Sequence, residues 1–223
     1  MARIAGFLYL CMAAFGVLAM AVTSGIARTD AGTTLTSIRN ASGLIRIGLG
    51  ADVISSLAFL LTAMALYALL RHVRPLAAVA MLTFVVVAVA IGFANLANQH
   101  AQLALATSID GNSQSADASL VALFASMQNF EAAVDEMFWG LWLLPLGYLV
   151  LKSGYFPSLV ALLLLIAGAS WLLQSLANFL AVPLGGVAAL FTAGTIGEFV
   201  FMGYLLVKGV GSPASTTLRS AIA

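Results

Sequence analysis

Six apolar stretches, each long enough to cross a bilayer, constrain this 223-residue chain more than any other feature. A hydrocarbon core of about 30 Å takes about 20 residues of helix at 1.5 Å per residue. The runs 4–27, 44–70, 76–98, 132–151, 159–180 and 187–207 all reach that length. Lipid offers no hydrogen-bond partner to the backbone, and none of the runs alternates polar with apolar residues as a barrel strand would. The fold class expected is therefore all-α, a polytopic membrane protein built as a bundle of six transmembrane helices. Composition agrees: 62% of residues are hydrophobic and 8% are charged, against roughly a quarter charged in a soluble domain.

Charge and cysteine content narrow the function classes. Nine Lys and Arg oppose eight Asp and Glu for a net +1, so there is no field to recruit nucleic acid. One cysteine, Cys11, excludes an intrachain disulfide and a multi-cysteine metal site. The first run is too long for a secretory signal core, and is read as the first helix. The sequence holds no Gly-rich phosphate loop, no H-E-x-x-H pair, no G-x-S-x-G elbow and no C-x-x-C. Nothing in it favours an enzyme, and no cofactor is expected.

Orientation follows from a pattern that occurs three times. Tyr67 precedes Arg71 by one helical turn, as Tyr148 precedes Lys152 and Tyr204 precedes Lys208, and Pro75, Pro157 and Pro213 follow. Tyrosine favours the headgroup level, the cation reaches past it, and proline ends the helix. Placing these exits in the cytoplasm puts Arg3, Arg71, Arg74, Lys152, Lys208 and Arg219 inside, and Arg28, Arg39 and Arg46 outside. Both termini are then cytoplasmic. Residues 1–210 form one transmembrane domain, 103–131 an outer loop with an amphipathic lead-in to the fourth helix, and 211–223 a flexible cytoplasmic tail. Pro145 is expected to bend the fourth helix.

Depth ranks the polar residues. Glu198 lies ten residues before Lys208, about 15 Å and close to the midplane, where an ionisable group is costly and by default functional. Asp52, Asp135 and Glu136 lie roughly 24 to 28 Å from their cytoplasmic cations, and Glu131 about 31 Å. Asn95 and Asn98, with Gln174 and Asn178 one turn apart, fall at matching heights. Gly48, Asp52, Ser55 and Ser56 share a face suited to a neighbouring helix. The expected site is an outward-facing polar pocket lined by the second to sixth helices. Arg46 and Asp52 would pair near its mouth, Asp135 and Glu136 would contact ligand or cation, and Glu198 would be the deep proton-titratable group, with Asn95, Gln174 and Asn178 lining it. Glu131 and Asp135 repel across one turn, which Arg46, a shared proton, or a cation bound with His100 would relieve. His100 is otherwise an interfacial histidine, and Trp139, Trp142 and Trp171 are read as packing or interfacial residues.

Local strings resemble a known family. Ala2-Arg3-Ile4-Ala5-Gly6-Phe7-Leu8-Tyr9-Leu10, Ile45-Arg46-Ile47-Gly48 followed by Asp52, Ser153-Gly154-Tyr155-Phe156-Pro157, and Gly197-Glu198 leading to Leu205-Leu206-Val207-Lys208-Gly209 are similar to a family of bacterial multi-pass membrane proteins catalogued as domain of unknown function 4386. The likeness covers nearly the whole chain and implies location in the bacterial cytoplasmic (inner) membrane. It implies no activity. Arg46, Asp52, Pro157 and Glu198 occupy positions matching the family's polar or turn features. Ser158 stands where members often carry a basic residue, and the apolar run 84–87 where they carry an arginine. Three functional readings stay open: a protein that binds or moves a small ligand or proton, a non-catalytic subunit of a membrane complex that grips a membrane-protein partner, and an intramembrane enzyme acting on a lipid-like substrate.

Overall fold

The computed structural model describes residues 1–24, 31–108, 114–180, 182 and 188–210, with the side chains of 23–24, 31–33, 114–117 and 188–194 excepted. The described residues form seven α-helices: α1 (Ala2–Ser24), α2 (Ala31–Asn40), α3 (Ser42–Leu70), α4 (Pro75–Ser108), α5 (Gln114–Ser153), α6 (Ser158–Leu180) and α7 (Ala188–Val207). Five of them, α1 and α3 to α6, are long and apolar enough to cross a membrane. In α7 the described apolar part, Thr195–Val207, is shorter.

Turn chemistry sets the boundaries at the cationic end, where α3, α5 and α7 finish. Pro75 opens α4 at the position where a missing N–H costs nothing. Gly154 and Gly209 both have φ +68°, the left-handed conformation that ends α5 and α7 with little strain. The Gly209 N–H returns to the Tyr204 carbonyl at 3.1 Å. Between α5 and α6, the Tyr155 hydroxyl meets His72 Nε2 at 3.2 Å, tying this connection to the turn between α3 and α4.

Six helices close a ring in which α1 lies between α3 and α7, and α3, α4, α5, α6 and α7 follow in chain order. Small residues line the contacts: Ala5, Ala63, Ala78, Ala161 and Ala167 are fully buried. Large aliphatic and aromatic residues point outward, among them Phe7, Leu61, Leu159 and Leu162. An apolar exterior around small-residue contacts is the arrangement lipid favours, since hydrocarbon gives no hydrophobic drive between helices and close packing must hold them. Aromatic rings fill the ring's interior: Trp142 is 1% exposed and stands edge-on to Phe59 at 5.1 Å and tilted against Tyr9 at 5.9 Å.

One expectation needs correction. Most of the described part of 103–131, expected as an outer loop, is helical: α4 continues to Ser108 and α5 begins at Gln114, so the lead-in extends the span. The connection before α3 contains a helix, α2. The physical reason is a second, smaller core in which Leu35, Ile38 and Ile45 pack with Leu103, Ala106, Ala118 and Val121. Helices of 34 and 40 residues are about 50 and 60 Å long, well beyond one hydrocarbon thickness. Their extensions and α2, whose Arg39 donates to the Ala106 carbonyl, build a cap over the end opposite Arg71, Lys152 and Lys208. Helix α5 passes through Pro145 without ending. The proposed tail, 211–223, and Arg28 lie outside the described residues.

Candidate functional site

Close helix approach positions the site. A Cβ added at Gly140 would lie 2.7 Å from the Gly168 carbonyl, and one at Gly168 would lie 2.9 Å from the Gly140 carbonyl. These glycines bring α5 and α6 backbone to backbone. Gly197 of α7 sits equally close to the Leu163 carbonyl of α6, and Gly6 of α1 to Leu205 of α7. Across these seams, side chains from different helices can reach each other near the middle of the bundle.

Glu198 is where three helices meet. Its Oε2 accepts from the Tyr9 hydroxyl of α1 at 2.6 Å, and its Oε1 accepts from Trp171 Nε1 of α6 at 2.9 Å. Tyr9 is buried between Trp142 and Phe201. The half-buried Glu198 carboxyl is thus gripped at both oxygens by neutral donors.

Asp52, Asp135 and Glu136 form a second group toward the cap. Asp52 of α3 and Glu136 both act electrostatically on Asp135, and among the described residues no cationic side chain does so. Glu136 accepts from Asn178 Nδ2 of α6 at 3.0 Å, and Gln174 Nε2 lies 3.4 Å from Asn178 Oδ1. Asp52 has Gln99 of α4 as its polar neighbour, and Gln99 Nε2 donates to Asn95 Oδ1 at 3.3 Å. Asp135 Oδ1 is buried with no hydrogen-bond partner, while Trp139, one turn on, gives its carboxyl a polar contact. Ser175 fixes the neighbouring backbone by donating to the Ala133 carbonyl at 2.7 Å.

A pair of indoles links the two groups. Trp139, beside Asp135, stands perpendicular to Trp171 with ring centroids 5.2 Å apart, and Trp171 donates to Glu198. The acids on α3, α5 and α7 therefore belong to one connected array. Trp139 and Trp171, read from sequence as packing or interfacial residues, are its links.

The remaining polar residues form a seam between α4 and α5. Asn98 Nδ2 donates to Glu131 Oε2 at 2.6 Å, Gln102 Nε2 donates to Gln128 Oε1 at 2.9 Å, and Asn95 Nδ2 approaches the Gln128 carbonyl at 3.4 Å. An amide thus partners Glu131, and Asp135 feels Asp52 and Glu136 instead. Arg46, expected to pair with Asp52, is exposed, and Gln99 of α4 is the polar side chain near Asp52. His100 is exposed, and among the described residues no three His, Cys, Asp or Glu side chains are grouped to hold a metal ion. The polar stripe of α3 also divides. Gly48 packs on Val22 and Ser55 donates to the Met12 carbonyl, both toward α1, whereas Asp52 and Ser56 turn toward Gln99 and Gly92 of α4.

Sequence reasoning missed Tyr9, Gln99, Gln102 and Gln128. The spacing of Gln99, Gln102, Asn95 and Asn98 at intervals of three and four was the available signal for the amide seam. Nothing local marks Tyr9 as the partner of a residue 189 positions away.

Neither a curated protein nor a solved structure matches this chain. The family model described as domain of unknown function (DUF4386) matches residues 4–209, a span that includes every acid of the array and all six helices of the ring. Together with the apolar exterior and the span-length helices, that match makes this an integral, multi-pass membrane protein that belongs to the DUF4386 family.

Proposed function

We propose that this chain crosses the bacterial cytoplasmic membrane six times with both termini inside, and that its acid array takes up protons or a small cationic ligand from the outer side. The observation that carries the reading is the buried Asp135 Oδ1, without a hydrogen-bond partner, placed beside Asp52 and Glu136 with no cation among the described residues acting on it. A polar atom shut away from water without a partner costs free energy, and such atoms in a native fold call for a functional explanation. A proton or an ammonium group would satisfy the oxygen and offset the mutual repulsion of three carboxyls at once. Glu198 would be the inner station, reached past the Trp139 and Trp171 pair. Helix α7 serves as the sixth span in this reading, and the cations at the ends of α3, α5 and α7 set the orientation.

The test uses the full chain in proteoliposomes with a pH-sensitive dye inside and a potassium diffusion potential across the membrane. Wild-type protein should move protons faster than empty vesicles, and Asp135→Asn should abolish most of the difference. Infrared difference spectra between acid and alkaline buffer should show a carboxyl band that Asp135→Asn removes. Wild-type vesicles indistinguishable from empty ones, together with no such band, would sink the reading. A stoichiometric membrane protein retained in mild detergent would then favour the subunit alternative.

A further inference from the structure

Beyond the acid array, the outer surface carries a groove at the cationic end of the bundle. It has a volume of about 360 Å³ and is lined by Leu151 of α5 and by Ser158, Leu159, Leu162 and Leu165 of α6. The seam between these helices explains it. Leu165 leans into the space left by Gly147, where an added Cβ would come within 2.9 Å of it. Leu151, Leu159 and Leu162 stay outward, 45, 63 and 53% exposed. In a membrane this surface faces acyl chains, and a trough of a few hundred Å³ falls at the small end of the range for ligand sites.

Charge identifies the kind of lipid. Lys152 follows Leu151 directly, lies in the last turn of α5 and is exposed. Arg71, Arg74 and Lys208 stand at the same end, and the described carboxylates all lie deeper in the bundle or toward the cap. The one polar lining residue, Ser158, sits at this end too and offers a hydroxyl at headgroup level. Lys152 lies outside the lining of the trough but one residue from Leu151 at the same end of α5. A ligand that matches an apolar trough with a hydroxyl at its rim and a lysine at that level is an amphiphile with an anionic head, the kind of headgroup that basic sites at membrane helix ends hold.

We infer that the groove between α5 and α6 is a binding site for one anionic phospholipid, its acyl chain against Leu151, Leu159, Leu162 and Leu165 and its phosphate on Lys152 and Ser158. The site is independent of the acid array. It would fasten the turn at 154–157 to one leaflet.

The experiment presents the purified full chain with phosphatidylglycerol or phosphatidylcholine of matched acyl chains in mixed micelles, and counts retained lipid by native mass spectrometry. One phosphatidylglycerol should be held in preference to phosphatidylcholine. Lys152→Gln should lower that preference about fivefold, while Arg74→Gln, a cation on another connection, should change it less than about twofold. Leu162→Trp or Leu159→Trp, filling the trough, should displace the lipid in whichever variant keeps wild-type helicity by circular dichroism. Equal retention of the two lipids would overturn the inference. So would equal losses in Lys152→Gln and Arg74→Gln, which would mean a diffuse basic rim. Lipid held undiminished by a folded trough-filled variant would place it elsewhere and overturn the inference as well.

Discussion

The Tyr9 hydroxyl and the Glu198 carboxyl, 189 positions apart, share a 2.6 Å hydrogen bond that closes the helix ring between its first and last members. Tyr9 is buried and Trp171 holds the other carboxyl oxygen, so Tyr9→Phe removes one donor without opening a cavity. A loss of about 1 kcal/mol is expected, because a hydrogen bond contributes that order net of its alternatives. Thermal unfolding in detergent measures it. A double-mutant cycle with Glu198→Gln should return a coupling of about 0.5 kcal/mol or more if the two side chains interact as the geometry has them.

Glycine contacts offer a cleaner contrast. Gly140→Ala puts a methyl 2.7 Å from the Gly168 carbonyl, so α5 and α6 must separate. Overpacking of this kind typically costs about 1 to 3 kcal/mol. Gly50 has nothing within 4 Å of its added Cβ, and Gly50→Ala should be neutral or stabilise by up to about 1 kcal/mol through helix propensity. The unfolding midpoints of the two variants should move in opposite directions, or Gly50→Ala should stay put while Gly140→Ala falls.

Much of this arrangement was legible in the sequence, and the physical reason is the bilayer. A span needs some 20 apolar residues, so the helices of the ring announce themselves, and Glu198 stands out because lipid makes its depth costly. The cap was hidden because it needs no such run. In α2 the apolar signal reduces to Leu35 and Ile38, set among Thr, Ser, Arg and Asn. Two such positions one turn apart resemble a loop until Leu103 and Ala106 are known to lie opposite. Partner identity was hidden for a different reason. The α3 stripe faces α1 and α4 at once, and a helical wheel cannot tell which residue meets which helix.

Asp135 should separate stability from function. Its carboxyl sits with Asp52 and Glu136 and has an unpartnered oxygen, an arrangement that costs stability unless a proton or ligand is present. Asp135→Asn removes one of three like charges and should raise the unfolding midpoint by the equivalent of about 1 kcal/mol in alkaline buffer while proton movement is lost. Such trade-offs are expected where a site is held for function. Asn98→Ala, by contrast, deprives Glu131 of its 2.6 Å donor and should destabilise by about 1 to 3 kcal/mol. If both variants fall together, the acids near Asp135 are structural, and the array loses its claim to function.

Gln102 and Gln128 are both nearly inaccessible and meet through a 2.9 Å amide bond, with Gln102 also 3.4 Å from the Asn98 carbonyl. Replacing one amide removes the bond the two share and leaves the other's polar group less well satisfied, whereas replacing both with residues of similar shape removes the need for that bond. Gln102→Met alone should cost about 1 to 3 kcal/mol. The Gln102→Met, Gln128→Met double variant should cost clearly less than the sum of the single changes, because the interaction term for contacting residues is of order 0.5 to 3 kcal/mol. Hydrogen exchange localises the effect: protection should drop across 99–108 and 118–131 in the single variant and return in the double, with the rest of α4 and α5 and the other ring helices unchanged. Additive losses would mean that the two glutamines contribute separately, and that the apolar contacts of Leu35, Ile38, Leu103 and Val121 hold the cap without them.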